Sequence, residues 1–73
     1  MSSWPAVSGI KLVKSLEKIG YRVVRQRGSH FRLHHESRRP VTVPNYKTIS
    51  RGLIRKIIRD ASISVEEFLE LLK

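Results

Sequence analysis

Apolar residues recur at helical spacing in two segments of the chain, separated by about thirty residues of different pattern. The first stripe consists of Leu12, Val13, Leu16 and Ile19, and the second of Leu53, Ile54, Ile57, Ile58 and Ala61. Ser8 is a good N-cap for the first helix, which is predicted to run to about Ile19. Gly20 is placed to end it, because glycine adopts positive φ without a Cβ clash.

The segment between the stripes alternates as β-strands do. Tyr21–Gln26 is predicted as one strand, and residues 29–35 as the next. In the second strand Phe31 and Leu33 share one face, which is suited to a core. His30, Arg32 and His34 share the other face, which is suited to water.

A two-residue loop, Arg27-Gly28, is predicted to join these strands into a hairpin. Such a loop pairs Val24 with Phe31 on the buried face. It also pairs Arg25 with His30 on the exposed face, and therefore sets a fixed cation opposite the histidine.

The rest of the chain completes a two-layer arrangement. Pro40 and Pro44 bracket a short third strand, and Ser64 with Glu67 forms a capping box that begins a short last helix. Residues 1–73 are therefore predicted to form a single α+β domain. It has the order α-β-β-β-α plus a short C-terminal helix, and a three-stranded antiparallel sheet with helices on one face only.

Charge is distributed very unevenly along the chain. Residues 1–59 hold fourteen Lys/Arg and two Asp/Glu, or +12, whereas residues 60–73 carry −3, and the total is +9. A small domain with such a field is expected to bind a polyanion, with nucleic acid favoured over a surface kept basic for solubility. The chain has no cysteine, no apolar run long enough to span a membrane and no signal-peptide layout at Met1–Pro5, so we expect a cytoplasmic protein.

The cationic face of the second strand could hold a phosphodiester beside a group that titrates near neutral pH, and RNA can be cut without a metal where such a group acts as a base. A base deprotonates the 2′-hydroxyl, which attacks the adjacent phosphorus, while cations stabilise the developing charge. Taken alone, His30 is either a surface or structural histidine or the candidate base, because histidine titrates near neutral pH. His34 lies ~13 Å further along the strand, too far to act on the same phosphorus atom. The general acid stays open among water, Ser29, Tyr46 and Lys47. We assign RNA binding to Arg25, Arg27, Ser29, Arg32, Lys47 and Arg55, and expect no metal site.

Several segments, in order, resemble the HicA (YcfA-like) toxin family. They are residues 10–21, residues 24–30 with Gly28-Ser29-His30, Val41-Thr42-Val43-Pro44, residues 52–61 and residues 63–69. The resemblance implies a fold like the double-stranded-RNA-binding domain and an mRNA interferase activity that needs no metal or small-molecule cofactor. It also implies neutralisation by a HicB antitoxin, and a catalytic role for His30. Tyr46 stands where many members of the family carry histidine.

Two functions from different classes follow from these observations. One is a toxin of a type II toxin–antitoxin system that cleaves mRNA with His30. The other is a non-catalytic RNA-binding module on the same fold. Both predict RNA binding that weakens with salt, and only the first predicts cleavage that depends on one imidazole.

Overall fold

The computed structural model describes residues 4–73, which form three helices and one three-stranded antiparallel sheet with the strand order β1-β2-β3. The elements are α1 (Gly9–Glu17), β1 (Arg22–Arg27), β2 (His30–His34), β3 (Val41–Pro44), α2 (Arg51–Asp60) and α3 (Val65–Leu71). This architecture confirms the predicted α+β fold, which is similar to that of the double-stranded-RNA-binding domain.

The helix ends are fixed by the local hydrogen bonds that the sequence predicts. Ser8 Oγ accepts from the Lys11 N–H at 3.1 Å and so caps α1. After α1 the chain closes a Schellman motif, in which the Tyr21 N–H donates to Leu16 O and Gly20 has φ +103°. Ser64 and Glu67 form the predicted capping box of α3.

The C-terminus of α2 ends in the same kind of motif, but without glycine. The Ile63 N–H donates to Ile58 O at 3.0 Å, and Ser62 has φ +62°. Arg38 Nη1 donates to Ala61 O at 2.7 Å, so a cation satisfies a terminal carbonyl of the helix. Ser62 therefore carries a Cβ in a backbone region that favours glycine.

We expect the Ser62→Gly variant to be more stable than the parent. Removing the Cβ relieves the left-handed conformation, and the added freedom of the unfolded chain offsets only part of that gain. A net gain of about 0.5 kcal/mol would raise the Tm by about 2–4 °C in a thermal melt. Ser62→Ala, which keeps the Cβ, should show no such rise, and an equal rise in both variants would contradict the explanation.

The core lies between the helices and one face of the sheet. Both α1 and α2 pack on β3, and α3 packs on both of them. The side chains that are fully buried and largest in volume are Phe68, Leu12, Leu16, Leu33, Ile54, Val7 and Val43. No helix in the described residues combines the length and apolar character needed to cross a membrane.

The hairpin register differs from the predicted one. The loop is Gly28-Ser29, and the ladder pairs Arg27 with His30 and Gln26 with Phe31. Gly28 has φ +57°, which fits a turn that places glycine at its first central position. The predicted pairing of Arg25 with His30 and of Val24 with Phe31 is therefore wrong.

Strand β1 is exposed along its whole length. A bulge between Val23 and Arg25 leaves Val24 outside the regular ladder, and Val23 and Val24 keep 39% and 45% of their surface. Helices α1 and α2 pack on β3 at the opposite edge of the sheet, and α1 also contacts β1 without burying any of its residues. The predicted burial of Val24 therefore does not occur.

Candidate active site

His30 is the first residue of the central strand and directly follows the Gly28-Ser29 turn. Its neighbour Phe31 and the next alternate residue, Leu33, are buried in the hydrophobic core. The His30 side chain is exposed on the opposite, uncovered face of the sheet. The predicted division of β2 into a buried face and a solvent-exposed face is therefore confirmed.

Three arginines surround His30 on this open face. Arg27 is its cross-strand partner, and Arg25 is paired with Arg32 two residues further along β2. Together with Thr42 these residues line a depression of about 240 Å³, which we call the cationic depression. Arg32 Nη1 donates to Thr42 Oγ1 at 2.9 Å, so this guanidinium is held in place.

The electrostatics of the cationic depression favour a bound anion. Like charges directly opposite each other on two strands are destabilising, yet Arg25 faces Arg32. The ion pairs among residues 4–73 are Lys56–Asp60 and Lys73–Glu70, and neither includes these arginines. The three strands contain four arginines and no acidic residue. A phosphate group would supply the missing counter-charge.

A second concave surface begins where the cationic depression ends. It has a volume of about 340 Å³ and lies between β3 and α2, and we call it the β3–α2 groove. His30, Arg32 and Thr42 line both surfaces, so the two are continuous. The Tyr46 ring stands edge-on to the His30 ring, with 6.4 Å between the ring centroids.

The remaining predicted RNA-binding residues lie in different places. Ser29 is exposed in the turn next to His30, and its carbonyl accepts from the Asn45 N–H. Lys47 is exposed on the loop after Tyr46 but lines neither concave surface. Arg55 lies on α2 with its guanidinium 5.2 Å from the Trp4 ring centroid, and it is not brought to His30.

Two residues of α2 that sequence reasoning did not assign to the site do line the groove. They are Lys56 and Asp60, which form an ion pair at 3.2 Å. With Leu53 and Ile57 they occupy positions i, i+3, i+4 and i+7 of the helix, so all four project from one face. That spacing is the signal that could have identified them.

His35 has a structural role on the far side of the hairpin. Its Nε2 lies 2.8 Å from Ile19 O, so this nitrogen carries the proton and donates. Its Nδ1 accepts from the backbone N–H groups of Ser37 and Arg38, at 3.0 and 3.2 Å. The imidazole thus joins the end of α1 to the connection between β2 and β3.

Tyr21 supports the same connection. Its ring packs edge-on against His35 with 4.9 Å between centroids, and its hydroxyl donates to Arg39 O at 2.7 Å. Burial raises the pKa of Tyr21, and the Arg38 charge opposes this rise only in part. The hydroxyl therefore stays protonated and remains a donor.

We expect His35→Ala to destabilise the fold. The variant leaves Ile19 O and two backbone N–H groups without their partner, at a cost of about 1–3 kcal/mol. The melting temperature should fall by roughly 4 °C or more. His34→Ala is the matched control, since it makes the same change at an exposed neighbour. Equal melts for the two variants would contradict the structural role of His35.

A histidine beside three arginines, on the uncovered face of a small α+β sandwich, is an arrangement suited to a polyanion ligand and to proton transfer. Comparison with family models then identifies the family. Residues 9–63, about three quarters of the chain, match the model described as the HicA toxin of bacterial toxin–antitoxin systems. The chain therefore belongs to the HicA toxin family, and the partner of such a toxin is an antitoxin. A search of curated proteins found no match.

Proposed function

We propose that this toxin is an endoribonuclease, an mRNA interferase, with His30 as its general base. The observation that carries the proposal is the exposed imidazole in the cationic depression, where Arg25, Arg27 and Arg32 can hold a phosphodiester. Family membership supports it, because a toxin must act on a cellular target. We propose that messenger RNA is the polyanion bound in the cationic depression, and that the toxin therefore acts in the cytoplasm.

The reaction uses the 2′-hydroxyl of the RNA itself. A neutral ring nitrogen of His30 takes the 2′-hydroxyl proton, and the 2′-oxygen forms a bond to the adjacent phosphorus. The bond from phosphorus to the 5′-oxygen breaks, and that oxygen takes a proton from water, which reaches the open face. The products are a 2′,3′-cyclic phosphate and a 5′-hydroxyl end. The arginines stabilise the additional negative charge on the phosphorane.

No metal is assigned a role in this mechanism. Among residues 4–73 there is no group of three or more His, Cys, Asp or Glu residues placed to hold an ion. The cations of the cationic depression supply the charge stabilisation instead.

The test is cleavage of end-labelled RNA by the purified protein in EDTA. We expect cleavage to persist in the chelator and to leave cyclic-phosphate ends, detected by their change in gel mobility after acid opening and phosphatase treatment. A DNA oligonucleotide of the same sequence is the matched control, because it lacks the attacking hydroxyl. RNA that binds but stays intact would instead support the binding-module function.

We further propose a HicB-like antitoxin that covers the open face of the sheet. Four arginines and no acid on the three strands leave a positive surface beside His30. An antitoxin with acidic groups at this surface would associate rapidly and exclude RNA. If a bound antitoxin left His30 accessible to solvent, this account of neutralisation would be wrong.

A further inference from the structure

The β3–α2 groove contains a mostly apolar wall that the proposed cleavage chemistry does not use. Pro44, Leu53 and Ile57 line it, together with the ring of Tyr46. Pro44 and Ile57 are buried and Leu53 is partly buried, whereas Tyr46 keeps 49% of its surface. An aromatic ring that is half exposed at the edge of a groove is available to a ligand.

The position of Tyr46 is fixed relative to His30. The Gly9 N–H donates to Tyr46 O at 2.9 Å, so the start of α1 holds this backbone. The preceding residue, Asn45, donates its N–H to Ser29 O at 2.6 Å, and Ser29 is the residue before His30. The loop that carries Tyr46 is thus tied directly to the turn that carries the imidazole.

The far end of the groove is polar. Lys56 Nζ and Asp60 Oδ2 are 3.2 Å apart there, and they offer one donor group and one acceptor group side by side. Asp60 is the only acidic residue between Glu36 and Glu66 in a strongly basic chain. An aromatic platform with a donor and an acceptor beyond it matches a planar heterocycle with a hydrogen-bonding edge.

The cationic depression and the β3–α2 groove share His30, Arg32 and Thr42, so a ligand can occupy both at once. We propose that the groove seats one nucleobase of the RNA strand, next to the phosphate held at His30, with Tyr46 as the stacking platform. This rests on the proposed function for the location of the phosphate. A nucleic-acid strand brings a phosphate to the depression and a flat ring to the groove from neighbouring positions of a single chain, and RNA is the strand that the proposed function requires.

The test measures binding separately from cleavage. Binding of fluorescently labelled 2′-O-methyl octamers is measured by fluorescence anisotropy. These octamers cannot be cut, because their 2′-oxygen has no proton to lose. A second octamer with the same backbone carries abasic positions throughout. Both are titrated with the parent protein and with Tyr46→Phe, Tyr46→Leu and Tyr46→Ala, after a thermal melt shows that each variant is folded.

We expect Tyr46→Ala and Tyr46→Leu to bind the base-containing octamer about tenfold more weakly than the parent, in line with the loss of one stacked base. Tyr46→Phe should bind like the parent, because the ring is kept and only the hydroxyl is lost. All four proteins should bind the abasic octamer equally. This pattern supports the base seat even if the protein fails to cleave RNA, so the two proposals are tested independently.

Three results would overturn the base seat. The first is an equal loss of affinity for both octamers, which would mean that Tyr46 acts on the backbone or on the fold. The second is a loss in Tyr46→Phe as large as that in Tyr46→Ala, which would assign the effect to the hydroxyl. The third is unchanged affinity in every variant.

Discussion

The His30→Ala variant is expected to fold and to bind RNA like the parent, but to cleave RNA about 10²–10⁴-fold more slowly, the usual contribution of a positioned acid–base group. The folding expectation follows from the exposure of the side chain on the open face of β2. A surface change of this kind usually alters the free energy of unfolding by less than about 0.5 kcal/mol. The binding expectation follows because Arg25, Arg27 and Arg32 remain to contact the phosphates.

His34→Ala is the matched control for this experiment. His34 is the last residue of the same strand and is also exposed, but it does not line the cationic depression. Cleavage of labelled RNA, growth after induced expression and a circular dichroism melt are measured for both variants. If folded His30→Ala cuts RNA at the parent rate, the catalytic assignment of His30 is wrong.

RNA affinity is expected to fall steeply as salt is added. Each phosphate neutralised on a single strand contributes about −0.7 to the slope of log K against log salt. With three to four phosphates held at the open face, affinity should drop by about 40- to 150-fold between 50 and 300 mM salt. Anisotropy with the uncleavable octamer provides the measurement.

The salt dependence also tests which cations contact the RNA. Arg25→Gln should lower the slope by about 0.7, because one phosphate contact is lost from the cationic depression. Arg59→Gln removes the same charge from a residue of α2 that lines neither the cationic depression nor the β3–α2 groove, and should leave the slope unchanged. A flat salt response in the parent would contradict the assignment of a polyanion ligand.

Local chemistry made much of the fold predictable from the sequence. Ser8, Gly20 and Ser64 each act within a few residues of their own position, and all three form the caps that the sequence predicts. The alternation of Phe31 and Leu33 with polar neighbours likewise determined which face of β2 carries His30. These features depend on contacts that are close in sequence.

The errors arose where distant parts of the chain decide the outcome. Val24 was predicted to be buried opposite Phe31, but the packed core buries residues of β2 and β3 and none of β1. Arg27-Gly28 and Gly28-Ser29 both put glycine in a two-residue turn, and sequence alone did not distinguish them. The β3–α2 groove depends on how α2 packs beside β3, so Lys56 and Asp60 were not predicted to lie near His30.

The exposed edge strand β1 has a consequence for self-association. An edge offers unpaired backbone N–H and C=O groups to any strand that approaches, and exposed valines make such contact more favourable. Arg22, Arg25 and Arg27 on the same strand oppose this, because a second copy would bring its own cations against them. The bulge at Val24 further distorts the edge as a template. The arginines of β1 thus also oppose aggregation. Replacing them with neutral residues would leave an edge strand with exposed valines open to strand pairing between copies of the protein.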